Sequence, residues 1–233
     1  MTLNFDGFEA LTFDCYGTLI DWEAGLIAAL KPVFSGNRMN LSDDHLLELF
    51  SEAEIAHQVR EYYPYREILK KVMRSLSGRF KFTLTSSELN CLVRGLPTWE
   101  PFPDTVEALK LLKSRYKLGI ISNIDEDLFA ETAKRLEIPF DWVFTADQTK
   151  SYKPALQNFR NALQKMELPP EKILHVAQSR YHDLVPAKTL GLATVWVNRR
   201  KGKAGPGATP DSAAEPDQEV ADLNELVSLA GLK

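Results

Sequence analysis

The chain is poor in cysteine, with two thiols, Cys15 and Cys91, in 233 residues. They stand far apart in unlike contexts, which excludes a disulfide framework or a thiolate metal site by spacing and points to a reducing compartment. No apolar run approaches the length of a membrane span, and the first ten residues carry acids where a signal peptide would carry a long apolar segment. A cytoplasmic protein is expected. A formal net charge of −4 gives no electrostatic reason to expect nucleic acid or an anionic membrane as partner. Internal repeats and low-complexity tracts are also missing, which excludes a solenoid. With 44% hydrophobic and 26% charged residues, the chain has the balance of a soluble globular protein large enough for a full core.

What is present changes character along the chain. Ala10 to Phe13 is a short apolar run that reads as a buried parallel strand, followed by Asp14 and a break at Gly17. From Asp21 to Leu96 only helical patterns occur. One begins at Asp21, a second is announced by Ser42 as cap with Asp43 and Asp44 in its first turn, a third runs from Tyr65, and Thr85 to Glu88 has the form of a capping box. Beyond Pro97 to Pro103 helix and strand alternate, the signature of βα units and a parallel sheet. Further strands are expected at Lys117–Ser122, Trp142–Ala146, Ile173–Ala177 and Thr194–Asn198, giving five in all. Helices are expected at 125–136, 154–166 and 183–190, with a long loop over Arg199–Pro216 and a closing helix from Val220 to Leu229.

A strand-terminal acid such as Asp14 is by itself most simply a turn cap. Its company argues for more. In a parallel sheet the carboxyl ends of the strands share one edge, where ligands bind. Asp14, Ser122 with Asn123, Lys153 and Asp183 follow successive strands and would meet there. Lys153, followed by Pro154 and a helix start, is preferred to Lys150.

These four segments resemble the four motifs of the haloacid dehalogenase superfamily of hydrolases: Phe13 to Leu19, Ile121 to Asn123, Lys153-Pro154, and Ala177 to Asp183. The resemblance spans almost the whole chain. It implies a Rossmann-like α/β core with a parallel sheet (1–20 and 97–233) and a helical cap (21–96) inserted after the first strand. It implies that Asp14 is a covalent nucleophile supported by Lys153, Thr18 and Asp183, with Tyr16, Ser122, Asn123 and Ser179 at the substrate. Small molecules would be its substrates, and homodimers are common in the family.

Residue 16 separates the reactions. Phosphatases of this superfamily carry a second acid there to protonate the leaving group. Tyr16, with an ordinary phenol pKa near ~10, is a poor substitute. The pattern Asp-x-Tyr-Gly-Thr is instead similar to the type II 2-haloacid dehalogenases, whose halide leaving group needs no acid and whose reaction needs no cofactor. Other positions pull the opposite way. The arginine that such dehalogenases place on the first long cap helix has no counterpart in Leu46–His57, leaving Arg60 and Arg66 downstream as substitutes, and a family tyrosine is replaced by Phe159. The spacing of Gln178 to Asp183 resembles the phosphatase pattern, in which Asp14 and Asp183 would hold Mg²⁺, yet Gln178 is neutral where an acid is expected. His182 is a further candidate base. Three readings follow: a dehalogenase-like hydrolase, a magnesium-dependent phosphatase of a small metabolite, or a catalytically silent binding protein.

Overall fold

A computed structural model describes residues 3–59, 61–203, 205 and 207–232. Its strands are β1 (Ala10–Phe13), β2 (Lys117–Ser122), β3 (Trp142–Thr145), β4 (Ile173–Ala177), β5 (Ala193–Val197) and β6 (Gln218–Val220). All pair in parallel in the order β3-β2-β1-β4-β5-β6. The short apolar run of β1 lies at the centre because it can be covered on both faces. Leu11 and Phe13 join one core, Ala10 joins the other, and every residue of the strand is buried. The chain winds outward from β1 through β2 to β3, then returns to β1 with β4 and winds the other way. This reversal leaves a crevice between the carboxyl ends of β1 and β4.

Between β1 and β2 come α1 (Trp22–Gly36), α2 (Asp43–Gln58), α3 (Tyr65–Phe80), α4 (Ser86–Leu89), α5 (Cys91–Gly95) and α6 (Thr105–Lys113). Asp21 caps α1, Ser42 caps α2 and Thr85 with Glu88 forms the capping box of α4, satisfying amides that the first turn leaves without partners. Among the described residues from 22 to 95 there is no strand. The chain leaves the sheet and returns along one seam: Asp21 N donates to Glu100 O, Phe102 N to Leu19 O, and Thr105 Oγ1 to Leu19 O at 2.9 Å. Gly25 lies so close to Trp99 that a methyl group there would collide with the indole.

The remaining helices are α7 (Glu126–Leu136), α8 (Ala146–Thr149), α9 (Leu156–Met166), α10 (Val185–Thr189) and α11 (Leu223–Leu229). Three expectations need correction. The third strand stops at Thr145, whose hydroxyl caps α8. The segment expected to be helical from Asp183 opens as a π-turn over Arg180–Leu184, with Ser179 as its cap. The sheet has six strands, because β6 is three residues of Gln-Glu-Val with no apolar run to announce it, and the closing helix accordingly begins three residues late, capped by Asp222. The segment from 199 to 217 straps the helical layer to the sheet. Arg200 pairs with Glu23 at 2.6 Å and with Asp44 at 3.0 Å, and Ala208 N donates to Glu23. No helix among the described residues is long and apolar enough to cross a membrane.

One apolar cluster runs without interruption from the sheet into α1, α2 and α3. Phe50 of α2 is at its middle, wholly buried and edge-on to Trp22 at 5.8 Å. Phe50→Ala is expected to lower stability by about 3–5 kcal/mol in denaturant unfolding. A loss under ~1 kcal/mol would mean that the helical layer does not share the core.

Candidate active site

Asp14 sits just past the end of β1, where its amide still donates to Val176 O of β4. Gly17, with φ +94, lets the chain turn back so that the Thr18 hydroxyl reaches Asp14 Oδ2 at 2.8 Å. The same hydroxyl accepts from Gln178 N at 2.9 Å, which ties the loop after β1 to the loop after β4.

Lys153 lies three residues before α9 and is 2% exposed. Its ammonium has three protons and three acceptors: Asp14 Oδ1 at 2.8 Å, Asp183 Oδ1 at 2.6 Å and Ile121 O at 2.8 Å. Burial alone would lower its pKa, but the two carboxylates outweigh that and hold it above the ordinary lysine value. Burial raises the Asp14 pKa, helped by Asp183 and opposed by Lys153. Burial pushes Asp183 the same way, yet Lys153 and His175 prevail and keep it below the usual carboxylate range. Asp183 is thus the firm anion of the pair, and Asp14 is the more basic carboxylate.

The other residues singled out in the sequence divide. Ser122 Oγ is buried, lines the cavity above Asp14 and has no hydrogen-bond partner among the described residues. Asn123 also lines that cavity, but its amide grips the Lys153 backbone, accepting from its N at 2.7 Å and donating to its O at 3.1 Å. Ser179 Oγ accepts from His182 N at 2.9 Å and lies 3.1 Å from its Nδ1. Tyr16 borders the cavity, its hydroxyl is 2.7 Å from Thr132 Oγ1, and burial drives its pKa well above the ordinary phenol value. Burial also lowers His182 to about 4, so it is neutral near pH 7. Cys15 is wholly buried and its thiol is likewise pushed well up. Phe159 packs edge-on against His175 in the core. Arg66 is spent on Asp125 and Asp127, and Arg60 lies outside the described residues.

Three contributors, His175, Thr209 and Glu54, carried no signal in the sequence, and a fourth, Tyr65, stood out there as an aromatic helix start. His175, hidden in the apolar run of β4, joins Asp183 Oδ1 through Nε2 at 3.1 Å and Thr12 Oγ1 through Nδ1 at 2.9 Å. Thr209, from the strap, donates to Gln178 Oε1 at 3.1 Å. Glu54 of α2 and Tyr65 of α3 complete the roof, with the Tyr65 hydroxyl donating to Glu54 Oε1 at 2.6 Å. Glu54 is 4% exposed, and burial raises its carboxyl to about 7. The cavity they enclose is small, about 40 Å³, room for about three waters. It adjoins a second of about 320 Å³ at Gln58, Lys153 and His182.

The donor set does not fit a magnesium ion, which favours several charged oxygens in octahedral array. Lys153 Nζ already pairs with Oδ1 of both Asp14 and Asp183, which reduces the charge left on the two carboxylates for a cation. The third place is the neutral Gln178, whose oxygen is engaged by Thr209. Among the described residues no three acidic, histidine or cysteine side chains converge as a metal site.

A family model described as haloacid dehalogenase-like hydrolase matches residues 8–189. The chain belongs to that family. This haloacid dehalogenase-like hydrolase is 25% identical over 222 residues to (S)-2-haloacid dehalogenase H-109 of Pseudomonas putida, covering 94% of this chain and 96% of the relative. It is 37% identical over 101 residues to a glyceraldehyde 3-phosphate phosphatase of Methanothermobacter thermautotrophicus, covering 42% of this chain and 45% of the relative. Its fold superposes with a TM-score of 0.80 on L-2-haloacid dehalogenase from Xanthobacter autotrophicus solved with chloropropionic acid covalently bound, at 19% identity and covering 96% and 98% of the two chains.

The buried acid of α2 gives the family member a pH signature. Glu54 would titrate near 4.5 in the unfolded chain and does so at about 7 when folded. The folded state therefore holds the proton more tightly, and this favours folding fully below the unfolded pKa and is lost as pH rises through 7. Glu54→Gln removes the titration. Its stability relative to the wild type is expected to be greater at pH 8 than at pH 5 by about 2.5 kcal/mol, read from urea unfolding at both pH values. A difference that does not change with pH would contradict this assignment.

Proposed function

We propose that the chain is a 2-haloacid dehalogenase-type hydrolase that works through an ester on Asp14, with 1–20 and 97–233 as the catalytic core and 21–96 as its cap. The observation that carries this reading is Tyr16. Its hydroxyl is turned to Thr132 and cannot serve as acid or base near neutral pH, so the favoured leaving group is one that departs without a proton. Halide is such a group. The activity named for the Pseudomonas putida relative supports the same class.

In the first step an Asp14 oxygen attacks the carbon bearing the halogen, the C–O bond forms, and the halide leaves with the C–X electron pair. Thr18 and Lys153 fix the plane of the attacking carboxylate by holding one oxygen each. In the second step water attacks the Asp14 carboxyl carbon, and the C–O bond to that carbon breaks to release a hydroxy product and the free carboxylate. Asp183 is placed to take the water's proton: Lys153 and His175 hold its Oδ1, while buried Oδ2 has no partner among the described residues and the side chain lines the cavity. The free Cys15 and Cys91 support a reducing, cytoplasmic setting.

Incubation with 2-chloropropionate in EDTA is expected to release halide, and Asp14→Asn to reduce the rate by roughly a thousandfold or more. A single turnover in H₂¹⁸O should leave the label in Asp14 and not in the product hydroxyl. No halide above the Asp14→Asn control would overturn the reading. Magnesium-dependent phosphate release from small phosphate esters would then favour the phosphatase alternative, and neither activity would favour a silent binding protein.

A further inference from the structure

We propose that Asp125 is a positioning residue that locks the helical layer over Asp14 by giving its carboxylate to the start of α3 across the interface. Only the reaction it serves rests on the dehalogenation reading.

Asp125 stands at the N-cap of α7, where an aspartate ordinarily satisfies the first amides of its own helix. Its carbonyl does serve α7, accepting from Phe129 N at 3.0 Å, but its side chain makes no capping bond there. Helix α3 has the opposite deficit. Its N-cap is Pro64, whose ring offers no acceptor to the first turn. The buried Asp125 carboxylate supplies what is missing: Oδ1 accepts from Tyr65 N at 2.5 Å, and Oδ2 accepts from Arg66 N and Arg66 Nε, each at 3.0 Å. Two helices thus begin at one carboxylate, and its side chain serves the one in the other layer. Hydrogen bonds to an ionised acceptor are strong and depend on direction, so they fix the start of α3 in place.

What α3 carries explains why its start is held. Tyr65, its first residue, lines the cavity above Asp14 and orients Glu54 of α2 there through its hydroxyl. The chain passes between sheet and helical layer near Asp21 and Glu100, so the connection from α2 to α3 has no covalent tie to the core. Asp125 ties it on one side of Pro64, and the Tyr152 hydroxyl ties it on the other by donating to Tyr63 O at 2.7 Å. Only Ile124 separates Asp125 from Asn123. The stretch from Ser122 to Asp125 therefore both lines the cavity and holds its roof.

Asparagine caps a helix about as well as aspartate, but it has one acceptor oxygen for three donors and no charge, so Asp125→Asn releases α3 and spares α7. The roof is read first in the ligand-free protein, from the Glu54 carboxyl by ¹³C NMR, assigned with Glu54→Gln. Burial raises that carboxyl to about 7 and only the Tyr65 bond opposes it. Admitting water is expected to lower its midpoint in Asp125→Asn by about one pH unit or more, a change that the loss of a simple helix cap would not cause. Halide release from 2-chloropropionate is expected to show KM raised about tenfold or more with kcat within about twofold, because substrate binds the closed form and the variant populates it less. An unchanged Glu54 midpoint or an unchanged KM would overturn the proposal. Should Asp125→Asn fail to fold, Arg66→Ala, which removes one of the three bonds, is expected to move both readouts the same way by less, and no movement of either overturns the proposal. If the wild type releases no halide, the dehalogenation reading falls and the Glu54 midpoint alone decides the role of Asp125.

Discussion

The ammonium of Lys153 holds two carboxylates together where neither could easily be buried alone. Removing a charge from water costs several kcal/mol, and placing two like charges side by side adds to that cost. A single cation with all three protons in use compensates both and assigns them different characters. Asp183, paired also with His175, is held below the usual carboxylate range, whereas burial raises the proton affinity of Asp14. The third proton, given to Ile121 O, anchors the lysine to the end of β2. Asn123 holds the backbone of the same residue from the next turn. The crevice is therefore built around a charge arrangement, and the loops are shaped to maintain it.

Much of this was legible in the sequence because it is local. Asp14, Ser122 and Asn123, Lys153 and Asp183 each follow an apolar run or precede a helix start, so their places at strand ends can be read from their immediate neighbours. The helical character of 21–96 is equally local, with Ser42 and the Thr85–Glu88 box marking helix starts that the structure has. Where the reading failed, the missing information was tertiary. β6 is a strand because Thr194 and Asp217 bring its chain beside β5, with Asp217 Oδ2 accepting from both Thr194 N and Oγ1. Its own three residues carry no strand pattern.

The site shows the same division. His175 is one polar residue inside a hydrophobic strand, and nothing in the sequence says which face it takes or that Asp183 waits there. Glu54 lies on a helix whose other acids, Asp43, Asp44, Glu48 and Glu52, are exposed, so it looked like one more solvated charge. Only the packing of α2 against α3, which brings Tyr65 to it, makes it a buried carboxyl with an altered affinity for protons. Asn123 illustrates a subtler gap. Its position is readable, but its service to the backbone of Lys153 depends on a partner thirty residues away.

The central place of β1 bears on how the chain reaches its folded form. Ala10 pairs with Lys117 on one side and Ile173 on the other, so the first strand to leave the ribosome finds both neighbours more than a hundred residues later. Helices α1 to α5 make mostly near-sequence contacts, which form quickly, whereas pairing on both edges of β1 must wait for large loops to close. During synthesis β1 is thus made before both of its partners and is among the last strands secured. A chain stopped anywhere before β4 would display β1 with an open edge, a liability for aggregation that the finished sheet removes.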